Sequence, residues 1–171
     1  MKLYHSLLFI LSLFLLCTCT EQKEISSLDP ENWEKRSAKN LNTDSLELGS
    51  TYLSVYSEIY NNTQKEKILL GVTVSIRNPN STDTIFINKA EYFETSGASI
   101  RKYITSPVYV LPMETVEIHI DRLDRAGGTG ANFIFDWSKK PTLYEPLFES
   151  VMIAASGNQG LSFSSKGVRL Q

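Results

Sequence analysis

The sequence predicts an all-β protein, a single antiparallel β-sandwich placed after an N-terminal signal and a tether. Two observations carry that expectation. Apolar side chains recur at every second position, the period of a strand with one buried face, most clearly at Ile68, Leu70, Val72, Val74 and Ile76 and again at Val116, Ile118 and Ile120. Clusters of glycine, proline, asparagine and serine interrupt these stretches at short intervals, as turns between short strands do. No long stretch repeats with the helical period. At 171 residues the chain has room for one domain plus extras.

Residues 1–18 read as a signal peptide. Lys2 and His5 precede an apolar run from Leu7 to Leu16 that is too short to span a bilayer and suits a secretory core. The run ends in Leu16-Cys17-Thr18-Cys19, which resembles a bacterial lipobox with Leu16 three places before the lipidated cysteine. Cys19 fits better than Cys17, which follows the bulky Leu15 and Leu16; the alternative is an ordinary cleaved signal with two incidental cysteines. Residues 19–50 form the lipidated N-terminus and a flexible, polar tether. Within it, Asp29-Pro30-Glu31 suits the start of a short helix. Trp33 is its one sizeable apolar group, docked on the domain or near lipid headgroups. Thr20 stands where an aspartate retention signal would follow the lipidated cysteine, so an outer-membrane anchor in the cell envelope is expected.

With Cys19 as the first mature residue, no cysteine remains in the folded part, which excludes thiol catalysis, cysteine–zinc sites and disulfides together. Removing Lys2 leaves 16 basic and 19 acidic residues, a net charge of −3. Nucleic acid is therefore not an expected partner, since no basic stripe exists to hold a phosphate backbone. No cofactor is expected either.

The domain is placed at residues 51–171, and its elements follow in order. Tyr52 to Tyr60 sets Leu53, Val55 and Ile59 against Tyr52, Tyr56 and Tyr60, a strand whose tyrosine row forms the second face of a sheet or an aromatic binding surface. Ile68 to Ile76 is an unbroken ladder that stops at Arg77-Asn78-Pro79-Asn80. The next strand changes parity near Asn88-Lys89, which predicts a β-bulge or bend. Short strands around Ile100 to Ile104 and Val108 to Leu111 follow, the second bracketed by prolines as an edge or a crossing would be. Val116 to Ile120 has one dry and one wet face. Phe133, Phe135 and Trp137 share one parity straight after the glycine-rich stretch Gly127-Gly128-Thr129-Gly130. Leu147 to Ala155 is apolar on both parities and is expected to be a central strand. A hairpin through Gly157-Asn158-Gln159-Gly160 leads to a last strand with Leu161 and Phe163, and Val168 and Leu170 lie beyond Gly167. Eight or nine strands are expected, and the arrangement is that of an immunoglobulin-like or fibronectin-like sandwich.

Few side chains carry candidate chemistry. His119, the single histidine after the signal, alternates with Glu117 and Asp121 on a solvated strand face; a weak metal site from that row is the sharper alternative. The glycine loop lacks the Lys-Ser/Thr of a phosphate loop and precedes a strand, so it reads as a tight turn. Were it to bind a ligand, Thr129 and Asn132 are the polar groups at hand, with Asp121, Asp124 and Arg125 on one rim. Asp136, Glu145 and Glu149 complete the carboxylates, for which ordinary ion pairing is the plain reading and paired glycosidase-like chemistry the alternative.

Three stretches resemble one bacterial envelope family, domain of unknown function 3124 (DUF3124). They are Tyr52-Leu53-Ser54-Val55-Tyr56-Ser57-Glu58-Ile59-Tyr60, Gly127 to Trp137, and Glu145-Pro146-Leu147-Phe148-Glu149-Ser150-Val151-Met152-Ile153 with Gln159 to Phe163. The resemblance implies one secreted or lipid-anchored domain, and it implies no activity and no site residue. Two readings follow. One is a non-catalytic envelope module, anchored to the membrane by lipid, that offers a loop end or the tyrosines Tyr52, Tyr56 and Tyr60 to a protein or glycan. The other is a small-ligand or metal-binding protein, or a hydrolase, built on Asp121, Asp124, Thr129, Asn132 and Glu145. They differ in whether these last side chains meet in one concave pocket.

Overall fold

The computed structural model describes residues 32–156 and 159–170. The signal, both cysteines, Asp29-Pro30-Glu31 and Gly157-Asn158 lie outside the described residues. Twelve strands and no helix are described: β1 (Glu47–Val55), β2 (Glu58–Tyr60), β3 (Lys67–Leu69), β4 (Gly71–Arg77), β5 (Ile85–Phe93), β6 (Ser99–Ile104), β7 (Val108–Val110), β8 (Thr115–Ile120), β9 (Ala131–Lys139), β10 (Leu147–Ser156), β11 (Gln159–Lys166) and β12 (Val168–Arg169). The first sheet runs β12-β1-β9-β5-β6, with β7 also on β5; the second runs β11-β10-β4-β8; β2 and β3 make a small hairpin. Every pairing is antiparallel. This is the all-β sandwich that the alternation predicts.

The core lies between the sheets and is centred on β9. Phe133, Phe135 and Trp137 are fully buried, as their shared parity requires. A file of rings runs from Tyr92 over Phe133 (4.8 Å between centroids) and Phe135 (5.3 Å) to Phe148 of the opposite sheet (4.4 Å). Burying each such ring contributes about 1.5–3 kcal/mol. Trp137 lies across its register partner Gly49, where an added Cβ would stand 2.2 Å from the indole. Its Nε1 donates to Thr51 Oγ1 at 2.9 Å. Only a glycine lets the indole lie flat against β1.

Several expectations change in detail. The ladder from Ile68 to Ile76 is divided at Leu70: Ile68 pairs in β3 with β2, and β4 begins at Gly71. The facing chain bends at the same place, between β1 and β2, and the Leu70 amide donates to the Ser57 carbonyl at 2.9 Å. Leu70 stays buried, so parity survives the change of partner. Such short pieces raise the count from eight or nine strands to twelve. The expected irregularity in β5 is present as a register shift between Ile87 and Lys89. β1 starts at Glu47, ahead of Thr51. The described part of the expected tether lies along β7: Ser37 bridges Val108, and Arg36 grips Glu114 through two bonds of 3.0 and 2.7 Å. Trp33 is half-buried against the core. At Gly167 the chain leaves the second sheet, and β12 joins β1 in the first through Thr51↔Arg169.

Candidate functional site

The loop between β8 and β9 gathers many charged and glycine residues, and the structure turns them upon one another. Asp124 is buried; its Oδ2 accepts from Arg101 Nη1 at 3.0 Å and its Oδ1 from the Ala126 amide at 3.1 Å. Glu58, also buried, accepts from Arg125 (Nε 3.2 Å, Nη2 3.0 Å) and from Lys67 Nζ. Burial pushes the Glu58 carboxyl up, and the hydrogen bonds from Lys67 and Arg125 more than offset this, holding it below its ordinary 4.5. Tyr92 Oη shares a 2.9 Å hydrogen bond with Ser57 Oγ, while burial pushes the phenol up to about 12.

The glycines serve the same closure. The Gly127 carbonyl accepts from the Thr95 amide (3.1 Å) and Thr95 Oγ1 (3.0 Å), the Gly130 amide donates to Thr95 Oγ1 (2.9 Å), and the Gly128 carbonyl accepts from the Ser57 amide (3.1 Å). A Cβ on Gly127 would stand 1.9 Å from Tyr92 Oη and 2.7 Å from Ser57 Oγ. Two of the loop amides that could face an anion are already engaged, Gly128 with the Arg125 carbonyl (3.1 Å) and Gly130 with Thr95. Among the described residues, no buried side-chain nitrogen or oxygen lacks one. Nor does any group of three His, Cys, Asp or Glu side chains among them come together as a metal site would require.

The other sequence-derived candidates are dispersed. Asp121 Oδ1 accepts from the Leu123 amide at 2.7 Å and shapes a turn. Thr129 is half-buried in the loop, and Asn132 sits on the outward parity of β9 opposite Ser54 and Phe93. Glu145 lies beyond the other end of β9, paired with Arg169, which in turn binds Glu47 at 3.1 Å and lies 5.3 Å from the Trp137 ring. The nine residues of β9 separate the two groups by about 27 Å. Asp121, Asp124 and Thr129 therefore share no pocket with Glu145. The tyrosines form no row either. Tyr52 points outward opposite Ile134, Tyr56 meets Phe163 edge-on at 5.8 Å, and Tyr60 stands exposed beside Lys67. The bend at Ser57 parts them. His119 is half-buried on the outer face of β8, opposite Thr73.

Among the described residues, two of the hollows flank the sandwich. One, of about 450 Å³, lies between the docked segment (Trp33, Glu34, Ser37) and Tyr103 to Val108. A second, wide and shallow, of about 540 Å³, is floored by buried Lys139, whose Nζ donates to Glu47 at 2.5 Å, and rimmed by Tyr144, Glu145 and Leu147.

The outer face of the second sheet is different in kind. Leu147, Glu149, Val151 and Ile153 point outward from β10. Register sets Ser164, Val151, Thr73 and His119 in one cross-strand row and Ser162, Ile153 and Gly71 in the next. Val151 is 45% exposed and Ile153 55% exposed, with only Gly71 beside Ile153 on β4. The other half of the face is polar: Arg77 Nε donates to Glu149 at 3.1 Å and Ser75 Oγ to Glu117 at 3.2 Å. The first sheet's outer face is mixed: a cross-strand row of Val168, Tyr52 and Ile134, the last two half-buried, lies beside ion pairs. There Lys89 bridges Asp136 (3.0 Å) and Glu91 (3.8 Å), Lys102 reaches Glu91 (3.8 Å), and Ser50 caps Asp136 (2.9 Å). The expectation for β10 is thus half met. The strand is central by pairing, and among the described residues its outer parity lacks a cover. Glu149 carries the available signal, because a carboxylate on the same parity as Val151 and Ile153 marks that parity as wet.

The chain matches the family described as Protein of unknown function (DUF3124) over residues 49–170. No curated protein matches it. It is similar to the protein of the "Crystal Structure of Thermotoga maritima 1070", at 12% sequence identity and a TM-score of 0.45, over 70% of this chain and 92% of that one.

Proposed function

The chain belongs to the DUF3124 family, and from that premise we propose that it is a non-catalytic interaction module of the bacterial cell envelope. Lipid on Cys19 holds it to the outer membrane, and a partner protein seats on the outer face of the second sheet. The observation that carries this reading is the strip of Val151 and Ile153, aliphatic, exposed and continuous along β10. Aliphatic side chains left exposed side by side on a sheet face support reading that face as an association surface. Its aliphatic make-up favours protein over glycan, which would call for exposed aromatic planes. The self-satisfied glycine-loop end and its separation from Glu145 support the absence of a catalytic centre there.

The test is site-specific photo-cross-linking with the full-length chain in its own cells, together with palmitate labelling. A photoreactive residue at Ile153 should give a discrete protein adduct, and one at Lys89 should give none. Labelling should disappear in Cys19→Ala. Equal adducts at both positions, or none at Ile153, would overturn the seat; label retained in Cys19→Ala would overturn the anchor.

A further inference from the structure

We propose that β11 is a docking edge to which an extended segment of the partner adds as a fifth strand of the second sheet, with bulky apolar side chains at alternate positions. The inference rests on the interaction reading above and names the chemistry of its partner. β11 pairs with β10 alone, and among the described residues its other side has no backbone partner. A row of open amides and carbonyls binds another strand, so proteins normally blunt such edges.

The remaining edges of this sandwich are blunted. β12 is two residues long and includes Arg169; β7 is three residues long and covered by Ser37. β6 carries Arg101 and Lys102, and its pairing with β5 shifts register twice. β8 carries Glu117 in mid-strand. β11 has eight residues, no proline, and no charge before Lys166. It is the longest of these edges and the least defended.

Its side chains match the same use. On the outer face β11 presents Gly160, Ser162 and Ser164, which stand beside Ala155, Ile153 and Val151 of β10. An added strand would lie about 4.8 Å from β11 and about 9.6 Å from β10. Large apolar side chains on it would fold over the small residues and reach Ile153 and Val151. A second copy pairing through its own β11 would bring Gly160, Ser162, Ser164 and Lys166 to that face, none of them a bulky apolar group, leaving the strip uncovered. The geometry therefore favours a different chain.

The experiment uses the full-length protein in detergent and two fluorescein-labelled ten-residue peptides. One alternates Ile and Phe with Thr and Lys; the other has the same residues scrambled around a central proline. The alternating peptide should bind saturably and slow amide exchange within 159–166 by roughly tenfold or more, and the scrambled one should not. Ile153→Lys, at an exposed position, should weaken binding at least about tenfold while the protein stays folded. Ser164→Pro should do the same by spoiling the edge, and Ile153→Lys covers the case in which that variant misfolds. Strand addition is overturned by absent binding, by protection elsewhere, by affinity indifferent to Ile153→Lys, or by a dimer that protects 159–166 unaided. Absent peptide binding with an intact Ile153 adduct in cells removes the strand mode alone. Loss of both removes the interaction reading as well.

Discussion

The glycine-loop end and the β10–β11 hairpin are opposites in composition, and the fold treats each against its composition. The loop end is rich in charge and glycine, and it is closed: Asp124 to Arg101, Glu58 to Arg125 and Lys67, Gly127 to Thr95. The hairpin is rich in aliphatic residues and carries the exposed strip. Ionisable groups paired with one another at a loop can serve to hold the chain together, whatever their number suggests. An apolar run makes core only where another layer covers it, and the sandwich has a single interior to offer.

The contrast can be broken most forcefully at Gly127. Gly127→Ala drives a methyl group into Tyr92 and Ser57, and a loss of about 2–3 kcal/mol is expected in denaturant unfolding. Next comes Glu58→Gln, which leaves Lys67 and Arg125 around an uncharged amide; about 1–2 kcal/mol is expected at neutral pH. That cost should depend on pH. A carboxyl held below its ordinary 4.5 contributes stability above that value and loses it as pH falls through the lowered one. Wild type and Glu58→Gln should thus converge in acid, and a gap unchanged down to the lowest pH at which both fold would contradict the ion-pair account. Tyr92→Phe removes one buried hydrogen bond and should cost about 1 kcal/mol. At the hairpin the stability effect should vanish: Ile153→Lys is expected to fall within about 0.5 kcal/mol of wild type. A loss as large as that of Gly127→Ala would show that the strip is covered after all.

Much of the fold was legible because strand parity is a local property. Phe133, Phe135 and Trp137 declared their shared face, Val116 to Ile120 declared theirs, and the parity switch at Asn88-Lys89 marked a real shift in register. Pairing is not local. Nothing in the ladder from Ile68 to Ile76 shows that its first part leaves the sandwich with β2, because that depends on the bend at Ser57. Similarly, the spacing of Asp124 and Arg101 holds no sign that the two meet, nor that Glu145 stands a strand's length from Thr129. The exposure of Val151 and Ile153 was readable only through Glu149, one charge among apolar neighbours. The candidate site was therefore far less legible than the scaffold that carries it.

The pairing of β1 has a consequence in time. Its neighbours are β9 and β12, so Thr51 must wait for Phe135 on one side and Arg169 on the other. A chain emerging end-first, from a ribosome or through a pore, cannot complete both sides of β1 until residues 168 and 169 have appeared. Loops that close over such separations make β-sandwiches slow, with milliseconds to seconds the usual range. Through that interval the β10–β11 hairpin, whose contacts are local, can form early, so that the edge proposed to receive a partner can be in place before the sandwich behind it is complete.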